Sequence, residues 1–277
     1  MRGTRAGRRS GRSGNVRRIL VSNDDGIHAE GLRALTEAVE GLGEVWVVAP
    51  ESEQSAASHA ISLHRPLRIK QWGERRFAID GTPADCSYIA INHLLKDQKP
   101  ALMVSGINHG ANLADDVTYS GTVAAAMEAS LLGVPALAFS LVAKERFEFG
   151  PAARFARKLA EAVLAEHDGG RLLVNVNIPG GVDATEYSIT QLGKHSYGYD
   201  VVENVDPRGR KYYWIGGTQF RHEDIPGSDC NAVFREGRIS VTPLHLDLTE
   251  YTQLDMVRGW RVDGFGQVKT NGSSRRE

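Results

Sequence analysis

Two adjacent aspartates follow a short apolar run near the start of the chain. Residues 19–21 are Ile-Leu-Val, and Ser22-Asn23-Asp24-Asp25-Gly26 comes directly after them. Such a run predicts a buried strand that delivers the carboxylates to the edge of a sheet. Because neighbouring carboxylates repel each other, a site built on Asp24 and Asp25 is expected to bind a cation. The same residues also fit a plain turn, in which one aspartate caps the following helix.

Further oxygen-bearing side chains follow two later predicted strands. Ser55 lies in a small, polar segment after the second strand, and Asn108 follows another apolar run. The carboxyl ends of parallel strands meet at one edge of a sheet, so these side chains are expected near Asp24 and Asp25. Oxygen donors without a Cys or His cluster at zinc spacing favour Mg²⁺, Mn²⁺ or Ca²⁺. Taken alone, Ser55 also fits a solvated loop, and Asn108 fits a turn.

Ser120-Gly121-Thr122 opens an alanine-rich helix. Helix starts present unpaired N–H groups and the positive end of the helix dipole, so this turn is a candidate phosphate-binding site. Ser120 or Thr122 also fits a simple helix cap. Joined to a cation site, the turn favours metal-assisted hydrolysis of a phosphate monoester, with a covalent phosphoaspartate as the competing mechanism.

The surrounding sequence alternates strand and helix patterns. Near-continuous apolar runs predict strands covered on both faces, for example at 45–49 and 134–140. Apolar stripes predict helices beginning near Ala29 and at Pro151. Strand, helix and strand of these lengths predict right-handed crossovers and a mostly parallel sheet flanked by helices. Residues 61–79 alternate apolar and polar positions, which predicts a short β excursion.

The two ends of the chain differ from this middle part. Seven arginines stand among glycines and serines in the first eighteen residues, so residues 1–17 are expected to be a disordered basic tail. From about Tyr187 the pattern becomes β-like, and strands are expected at 189–192, 211–215 and 238–244. The chain is therefore divided into the tail, a core at 18–185 and a β-rich extension at 186–277, of which the last residues, 272–277, are expected to fray.

Composition indicates a globular protein without a general attraction to polyanions. Hydrophobic residues make up 41% and charged residues 24%, and the formal net charge is −1. This balance gives no reason to expect double-stranded nucleic acid or a membrane surface as a partner. The two cysteines, Cys86 and Cys230, match neither a zinc spacing nor a disulfide framework, which favours a reducing compartment.

The chain resembles the SurE family, the survival-protein nucleotidases, through a series of spaced motifs between about Arg18 and Leu248. These motifs are Ser22-Asn23-Asp24-Asp25-Gly26-Ile27, Ala49-Pro50 with Ser55 five residues on, Gly81-Thr82-Pro83, Ser105-Gly106-Ile107-Asn108-His109-Gly110-Ala111-Asn112, Tyr119-Ser120-Gly121-Thr122-Val123, Gly227-Ser228-Asp229 and Ser240-Val241-Thr242-Pro243-Leu244. Several motifs in one order make chance agreement improbable.

The resemblance implies a Rossmann-like core with a C-terminal β-hairpin extension that builds homodimers or homotetramers. It also implies a cytoplasmic, metal-dependent phosphatase (5'/3'-nucleotidase) that acts on nucleoside monophosphates through metal-activated water. One divalent ion per subunit is expected, with Mg²⁺ or Mn²⁺ favoured and Ca²⁺ also allowed. The metal ligands carried over are Asp24, Asp25, Ser55 and Asn108, with the two aspartates as catalytic residues, and the phosphate-binding residues are Ser120, Gly121 and Thr122. The neighbouring histidines His28, His59 and His109 are assigned no role.

One loop departs from the family pattern. Where the family commonly has Asp-Arg-Asn-Arg-Ser-Gly, this chain has Glu51-Ser52-Glu53-Gln54-Ser55-Ala56. The loss of two positive charges and the gain of acid should weaken the attraction for multiply charged substrates. Long polyphosphate is therefore expected to be a poor substrate.

A phosphoryl-accepting receiver-like signalling module is the alternative from another functional class. Receiver domains also place an acid pair after their first strand, and Asp80 after Phe77-Ala78-Ile79 has the position of a phosphoryl acceptor. The length of the chain, the loop around Asn108 and the β-rich second half argue against this alternative. A dinucleotide-binding dehydrogenase is weaker still, because the first crossover lacks a Gly-x-Gly-x-x-Gly turn.

Overall fold

The computed structural model describes residues 16–143, 146–181, 184–197, 201–215 and 220–266. The expected N-terminal tail, except Val16 and Arg17, and the expected frayed end at 272–277 lie outside these residues. The chain divides into two compact units, Met1–Leu244 and His245–Glu277.

The strands of the described residues belong to the first unit, and they are numbered along the chain. They are β1 Arg18–Ser22, β2 Glu44–Pro50, β3 Ile69–Gly73, β4 Arg76–Ile79, β5 Leu102–His109, β6 Ala136–Val142, β7 Leu173–Pro179, β8 Tyr187–Ile189, β9 His195–Tyr197, β10 Val201–Val205, β11 Lys211–Ile215, β12 Phe220–His222 and β13 Ile239–Pro243. The main sheet has the order β3-β4-β2-β1-β5-β6-β7-β13-β8, and β10-β11 and β9-β12 form two small sheets.

Helices cover the main sheet in two layers. The helices of the first unit are α1 Glu30–Val39, α2 Pro83–Ile89 continued by a wider turn at Ala90–Leu94, α3 Gly121–Leu131, α4 Phe149–Glu166 and α5 Asp229–Phe234. Helix α1 packs against α4, and α2 packs against α3. Thr82 caps α2 and Pro83 lies in its first turn, which are the positions that these residue types favour.

The core explains why the central strands are continuously apolar. In β1, Ile19, Leu20 and Val21 are all fully buried, because helices lie on both faces of the strand. Ile19 and Val21 pack with the apolar stripe of α1, which includes Leu32 and Leu35. Packing on both faces thus fixes the position of β1, including its carboxyl end at Ser22.

Strand β1 lies at the topological switch point of the sheet. It pairs in parallel with β2 on one side and with β5 on the other. At such a point the connections leave in opposite directions and open a crevice at the carboxyl ends of the strands. The residues after Ser22 and the end of β5 face this crevice, so the fold creates a binding position between the first and fifth strands.

The predicted fold class, an α/β protein with a mostly parallel sheet flanked by helices, is confirmed, although two segments differ in detail. Strand β4 is a parallel member of the main sheet beside β2, and only β3 forms the antiparallel excursion. Ile61 and Leu63 lie outside any strand and are 38% and 80% exposed. Their alternation with polar residues therefore reflects an exposed loop.

The region after residue 186 contributes to both the main and the small sheets. Strand β13 pairs antiparallel with β7, and β8 pairs in parallel with β13. The hairpin β10-β11 instead exposes large apolar side chains, among them Trp214 at 65% and Ile215 at 91%. In the second unit, Tyr251–Gln253 form a short helical turn that leads into α6, Leu254–Arg258.

Across the described parts of the chain, no helix combines the length and apolarity required to cross a bilayer.

Candidate active site

Asp24 is the most enclosed acid of the site. Its carboxyl group is at the end of β1, only 6% of the residue is exposed, and Thr122 Oγ1 donates a hydrogen bond to its Oδ1. The pKa of Asp24 is raised to about 6, mainly by burial and also by the charge of Asp25, while the Thr122 hydrogen bond acts in the opposite direction. A carboxylate held in this way is stabilised by a bound cation, because the cation compensates both the lost hydration and the neighbouring charge.

Asp25 is more accessible and is oriented by a histidine that the sequence left without a role. His109 Nδ1 lies 3.1 Å from Asp25 Oδ2. The His109 ring is in turn held edge-on by Phe147 and Phe149, with centroid separations of 5.0 and 4.9 Å. His109 thus fixes the Asp25 carboxylate from a strand more than eighty residues away, a contact that no local pattern indicates.

Asn108 lies within the last part of β5, beyond a break in the strand register. The β5-β6 pairing shifts between Ser105 and Asn108. Gly106 lies at this break with φ +123°, and a Cβ on it would approach Phe139 O to 2.3 Å, so only glycine fits. Asn108 Nδ2 donates to Gly110 O over 3.0 Å. The amide N–H is thereby used internally, and the Oδ1 atom remains available as a neutral oxygen ligand.

Ser55 lies in the exposed loop after β2. Its Oγ donates to Glu53 Oε1 over 2.6 Å, and the N–H of Gln54 donates to Asp24 O over 2.8 Å. The second contact ties the loop to the end of β1. Glu53, which accepts the Ser55 hydrogen bond and lines the cavity described below, is therefore an additional acid at the site. The sequence alone shows it only as one acidic residue of an unusual loop.

One cavity of about 280 Å³ collects these residues. Asp24, Asp25, Ser55 and Asn108 all line it, so the structure brings the four expected metal ligands together. The other lining residues are Glu53, Ala56, His109, Ala111, Asn112, Asp116, Tyr119 and Ser120.

The start of α3 forms one wall of the cavity. Ser120 lines it, and Ser120 Oγ accepts the N–H of Val123 over 3.1 Å as the cap of the helix. Gly121 and Thr122 are buried behind it, against Asp24. The Thr122 hydroxyl is committed to Asp24, so the anion-binding capacity of this turn resides in its backbone N–H groups and the helix dipole.

The charges around the cavity are almost all negative. Its acidic side chains are Asp24, Asp25, Glu53 and Asp116, and the described residues that line it include neither Lys nor Arg. Nor do the described residues contain a group of three or more His, Cys, Asp and Glu side chains placed to hold a metal. Two carboxylates joined by hydroxyl and amide oxygens fit a hard divalent ion instead, because such ions take neutral oxygen ligands beside a few acids.

The geometry at Asp80 differs from that of a phosphoryl acceptor near the acid pair. Its Oδ1 accepts the N–H of Arg68 over 2.6 Å and lies 3.5 Å from Arg65 Nη1. These partners lower the pKa of Asp80, first through the Arg68 backbone hydrogen bond. Asp80 belongs to another surface depression, beside Glu51 and Gly81.

Comparison with known proteins gives one consistent family. A family model described as Survival protein SurE matches residues 19–199. Relatives named 5'-nucleotidase SurE include those of Myxococcus xanthus, 67% identical over 94% of this chain and 100% of the relative, and Anaeromyxobacter dehalogenans strain 2CP-C, 57% identical over 90% and 97%. The crystal structure of the SurE protein from Aquifex aeolicus superposes with a TM-score of 0.76 and 37% identity, over 87% of this chain and 98% of that one. The chain belongs to the SurE family.

Proposed function

We propose that this SurE-family protein is a divalent-metal-dependent phosphatase that hydrolyses nucleoside monophosphates. The observation that carries the proposal is the convergence of Asp24, Asp25, Ser55 and Asn108 on one cavity beside the start of α3. An oxygen-lined cation site next to an anion-receptive helix terminus is the arrangement that phosphate-ester hydrolysis requires. The names of the relatives, 5'-nucleotidase SurE, support a nucleotide as the substrate. The comparisons give no support to a receiver-like signalling module.

The four side chains Asp24, Asp25, Ser55 and Asn108 would hold one divalent ion per subunit. Mg²⁺ and Mn²⁺ suit this donor set best, and Ca²⁺ is also compatible with it. When bound, the ion would lower the pKa of a water molecule and neutralise charge on the phosphoryl oxygens. The buried carboxyl group of Asp24 and the adjacent charge of Asp25 fit such an ion, because the described residues that line the cavity include no Lys or Arg to compensate them.

The remaining chemistry is assigned to residues of the chain. One of the two aspartates, Asp24 or Asp25, orients the attacking water and accepts its proton, while His109 holds Asp25 in place. The phosphate group is bound at Ser120, Gly121 and Thr122, where backbone N–H groups at the start of α3 face developing negative charge. The α3 terminus thereby performs the task that arginine or lysine performs in other phosphatases.

Phosphate release from a panel of nucleotides, measured with each divalent metal, tests the proposal. We expect turnover of nucleoside monophosphates with Mg²⁺ or Mn²⁺, complete loss with a chelator, and recovery when metal is restored. Steady release without any divalent ion would contradict the metal site. A stable acyl phosphate on Asp80 after incubation with a small phosphodonor would instead support the signalling module.

Long polyphosphate is expected to be hydrolysed much more slowly than a nucleoside monophosphate. Glu51 and Glu53 precede Ser55, and Glu53 lines the cavity, so a chain of phosphates would run along an acidic loop. The measurement compares kcat/KM for the two substrates at physiological ionic strength, where long-range attraction is screened. Comparable values would contradict the inferred effect of this loop.

Residues 18–185 are proposed to form the catalytic core and residues 186–277 the oligomerisation region. The exposed apolar side chains of β10-β11, including Tyr213, Trp214 and Ile215, support an interface in homodimers or homotetramers. A cytoplasmic location is supported by two free cysteines, both buried, in the part of the chain that the structure describes. With a net charge of −1, duplex nucleic acid is not expected as a partner.

A further inference from the structure

His195 connects the region after residue 186 to the wall of the candidate active site. It begins β9, and its Nδ1 lies 3.0 Å from Asp116 Oδ2. The His195 side chain is only 3% exposed and that of Asp116 is 18% exposed. This is an enclosed contact between segments about eighty residues apart, so the folded structure holds the two side chains together in a way that a surface ion pair does not.

Asp116 is part of the site in two ways. Asp116 lines the cavity, beside Tyr119 and Ser120. Its backbone carbonyl accepts the N–H groups of both Tyr119 and Ser120, each over 3.0 Å. The carboxylate of Asp116 therefore belongs to the same short segment that presents Ser120 at the start of α3. These two hydrogen bonds connect Asp116 directly to the proposed phosphate-binding turn.

The groups that face His195 are mainly acidic. Asp115 and Asp116 come from the helical turn before α3, and Asp229 comes from the start of α5. The pKa of His195 is raised, first by the hydrogen bond to Asp116, against the opposing effect of burial, and then by the charges of Asp116, Asp229 and Asp115. The His195 imidazole is thus held in its protonated form to a higher pH than a free imidazole.

Two further titratable groups approach from the neighbouring elements. His222 is the cross-strand partner of His195, and its ring lies against Phe234 with a centroid separation of 5.2 Å. Cys230 follows Asp229, and the pKa of its thiol is raised to about 12, first by burial, then by Asp229, and less by Asp116 and Asp115. The thiol is therefore uncharged at neutral pH. Asp229 is tied down by the N–H groups of Ala114, Gly193 and Cys230.

We propose that His195 is a positioning residue which, when protonated, neutralises Asp116 and thereby allows a phosphate group to approach Ser120. The inference rests on the proposed function, because it takes this cavity to be the place where the phosphate binds. The cavity carries four acidic side chains and, among its described lining residues, no lysine or arginine. A divalent ion compensates the charges of Asp24 and Asp25 but leaves Asp116 beside the phosphate turn. His195 provides the charge that balances Asp116.

The direction of the pH effect follows from the raised pKa of His195. Below that pKa the imidazolium is present and Asp116 is neutralised. As the pH rises through it, His195 loses its proton and the Asp116 carboxylate repels a phosphate dianion. Affinity for phosphate and for nucleoside monophosphates should therefore fall on the alkaline side, and KM should change more than kcat.

The test compares the wild-type protein with His195→Asn. An asparagine amide places an N–H donor near the position of Nδ1, so it keeps a hydrogen bond to Asp116 but carries no charge. Binding of inorganic phosphate to the full-length protein with Mg²⁺ is measured by calorimetry from about pH 6 to about pH 9, together with KM for a nucleoside monophosphate. We expect His195→Asn to bind phosphate about three- to fivefold more weakly at the acidic end and to match the wild type at the alkaline end.

Asp116→Asn is the second variant, and its expected effect on phosphate affinity is opposite to that of His195→Asn. Without the Asp116 carboxylate there is no negative charge beside Ser120 for His195 to neutralise, so phosphate affinity should equal or exceed that of the wild type and should lose the alkaline decrease. Ratios to the wild type remove the titration of phosphate itself, which all variants share. Thermal unfolding verifies that each variant is folded, and if His195→Asn is not, the pH profile of Asp116→Asn decides.

Two results would overturn the proposal. The first is a wild-type to His195→Asn ratio of phosphate affinities that does not vary with pH, and the second is an alkaline decrease that persists in Asp116→Asn. Failure of the proposed function looks different. In that case wild-type protein loaded with Mg²⁺ releases no phosphate from any nucleotide and binds no inorganic phosphate at any pH.

Discussion

Gly121→Ala should reduce kcat/KM for nucleoside monophosphates by about a hundredfold or more. A Cβ on Gly121 would lie 2.7 Å from Asp24 Cβ and 3.0 Å from Asp24 Oδ2. Asp24 is 6% exposed and is bonded to Thr122, so neither side can yield without moving a proposed metal ligand. The methyl group therefore pushes the carboxylate and the start of α3 apart, although alanine is the better helix former.

Gly150→Ala is the matched control for this substitution. Gly150 lies in the first turn of α4, and there the nearest atom to an added Cβ is Arg154 Nη1, at 3.9 Å. We expect turnover within about twofold of wild type for Gly150→Ala, with equal or higher thermal stability. Affinity for Mn²⁺, measured by calorimetry, should fall in Gly121→Ala alone. Full activity of Gly121→Ala would show that the contact with Asp24 does not constrain the site.

The main parts of the fold were predictable because they depend on local patterns. The apolar run before Asp24 is buried on both faces, and Thr82 and Pro83 begin a helix as their residue types require. Strand ends in a parallel sheet share one edge, so Asp24 and Asn108 were expected to meet there, and they line one cavity. These steps needed only the residue pattern of each element and the rule that parallel strands end at one edge of the sheet.

The register break at the end of β5 was not predictable in the same way. The sequence places Asn108 after an apolar strand, whereas the structure continues β5 through Asn108 to His109. A pattern of alternating apolar and polar residues likewise does not predict with which other strand a strand pairs. Residues 239–243 thus read as part of a β-rich extension, yet β13 pairs with β7 in the main sheet. Strand pairing is decided by tertiary packing rather than by the strand's own residues.

The contacts that refine the site were hidden for a related reason. His109 reaches Asp25, and His195 reaches Asp116, across about eighty residues of chain. A lone histidine carries no periodic signal, and its partner is determined only once both elements have docked. The acidic loop did give a signal in the charge of Glu53, which the structure places in the cavity and bonds to Ser55. The charge of a loop can therefore be predicted from the sequence, whereas the partner of a single side chain such as His109 or His195 cannot.

Asp25→Asn should lower turnover roughly a thousandfold while leaving the fold intact. Asparagine keeps the size of the side chain but loses the charge that helps to hold a divalent ion and to position the water. In the metal-free protein the substitution also removes the repulsion that raises the pKa of Asp24. Thermal stability without metal should therefore equal or slightly exceed that of the wild type, so lost turnover cannot be ascribed to unfolding.

A second measurement on Asp25→Asn separates the metal site from general damage. An ion that binds only the folded state raises the unfolding temperature of the protein, and this rise grows as the concentration of the ion exceeds its Kd. We expect Mg²⁺ or Mn²⁺ to stabilise the wild type and to have much less effect on Asp25→Asn. Asp80→Asn is the matched control, since Asp80 pairs with Arg65 and Arg68 at another surface depression. It should retain both turnover and metal-induced stabilisation. Activity retained by Asp25→Asn but lost by Asp80→Asn would transfer the catalytic role to Asp80.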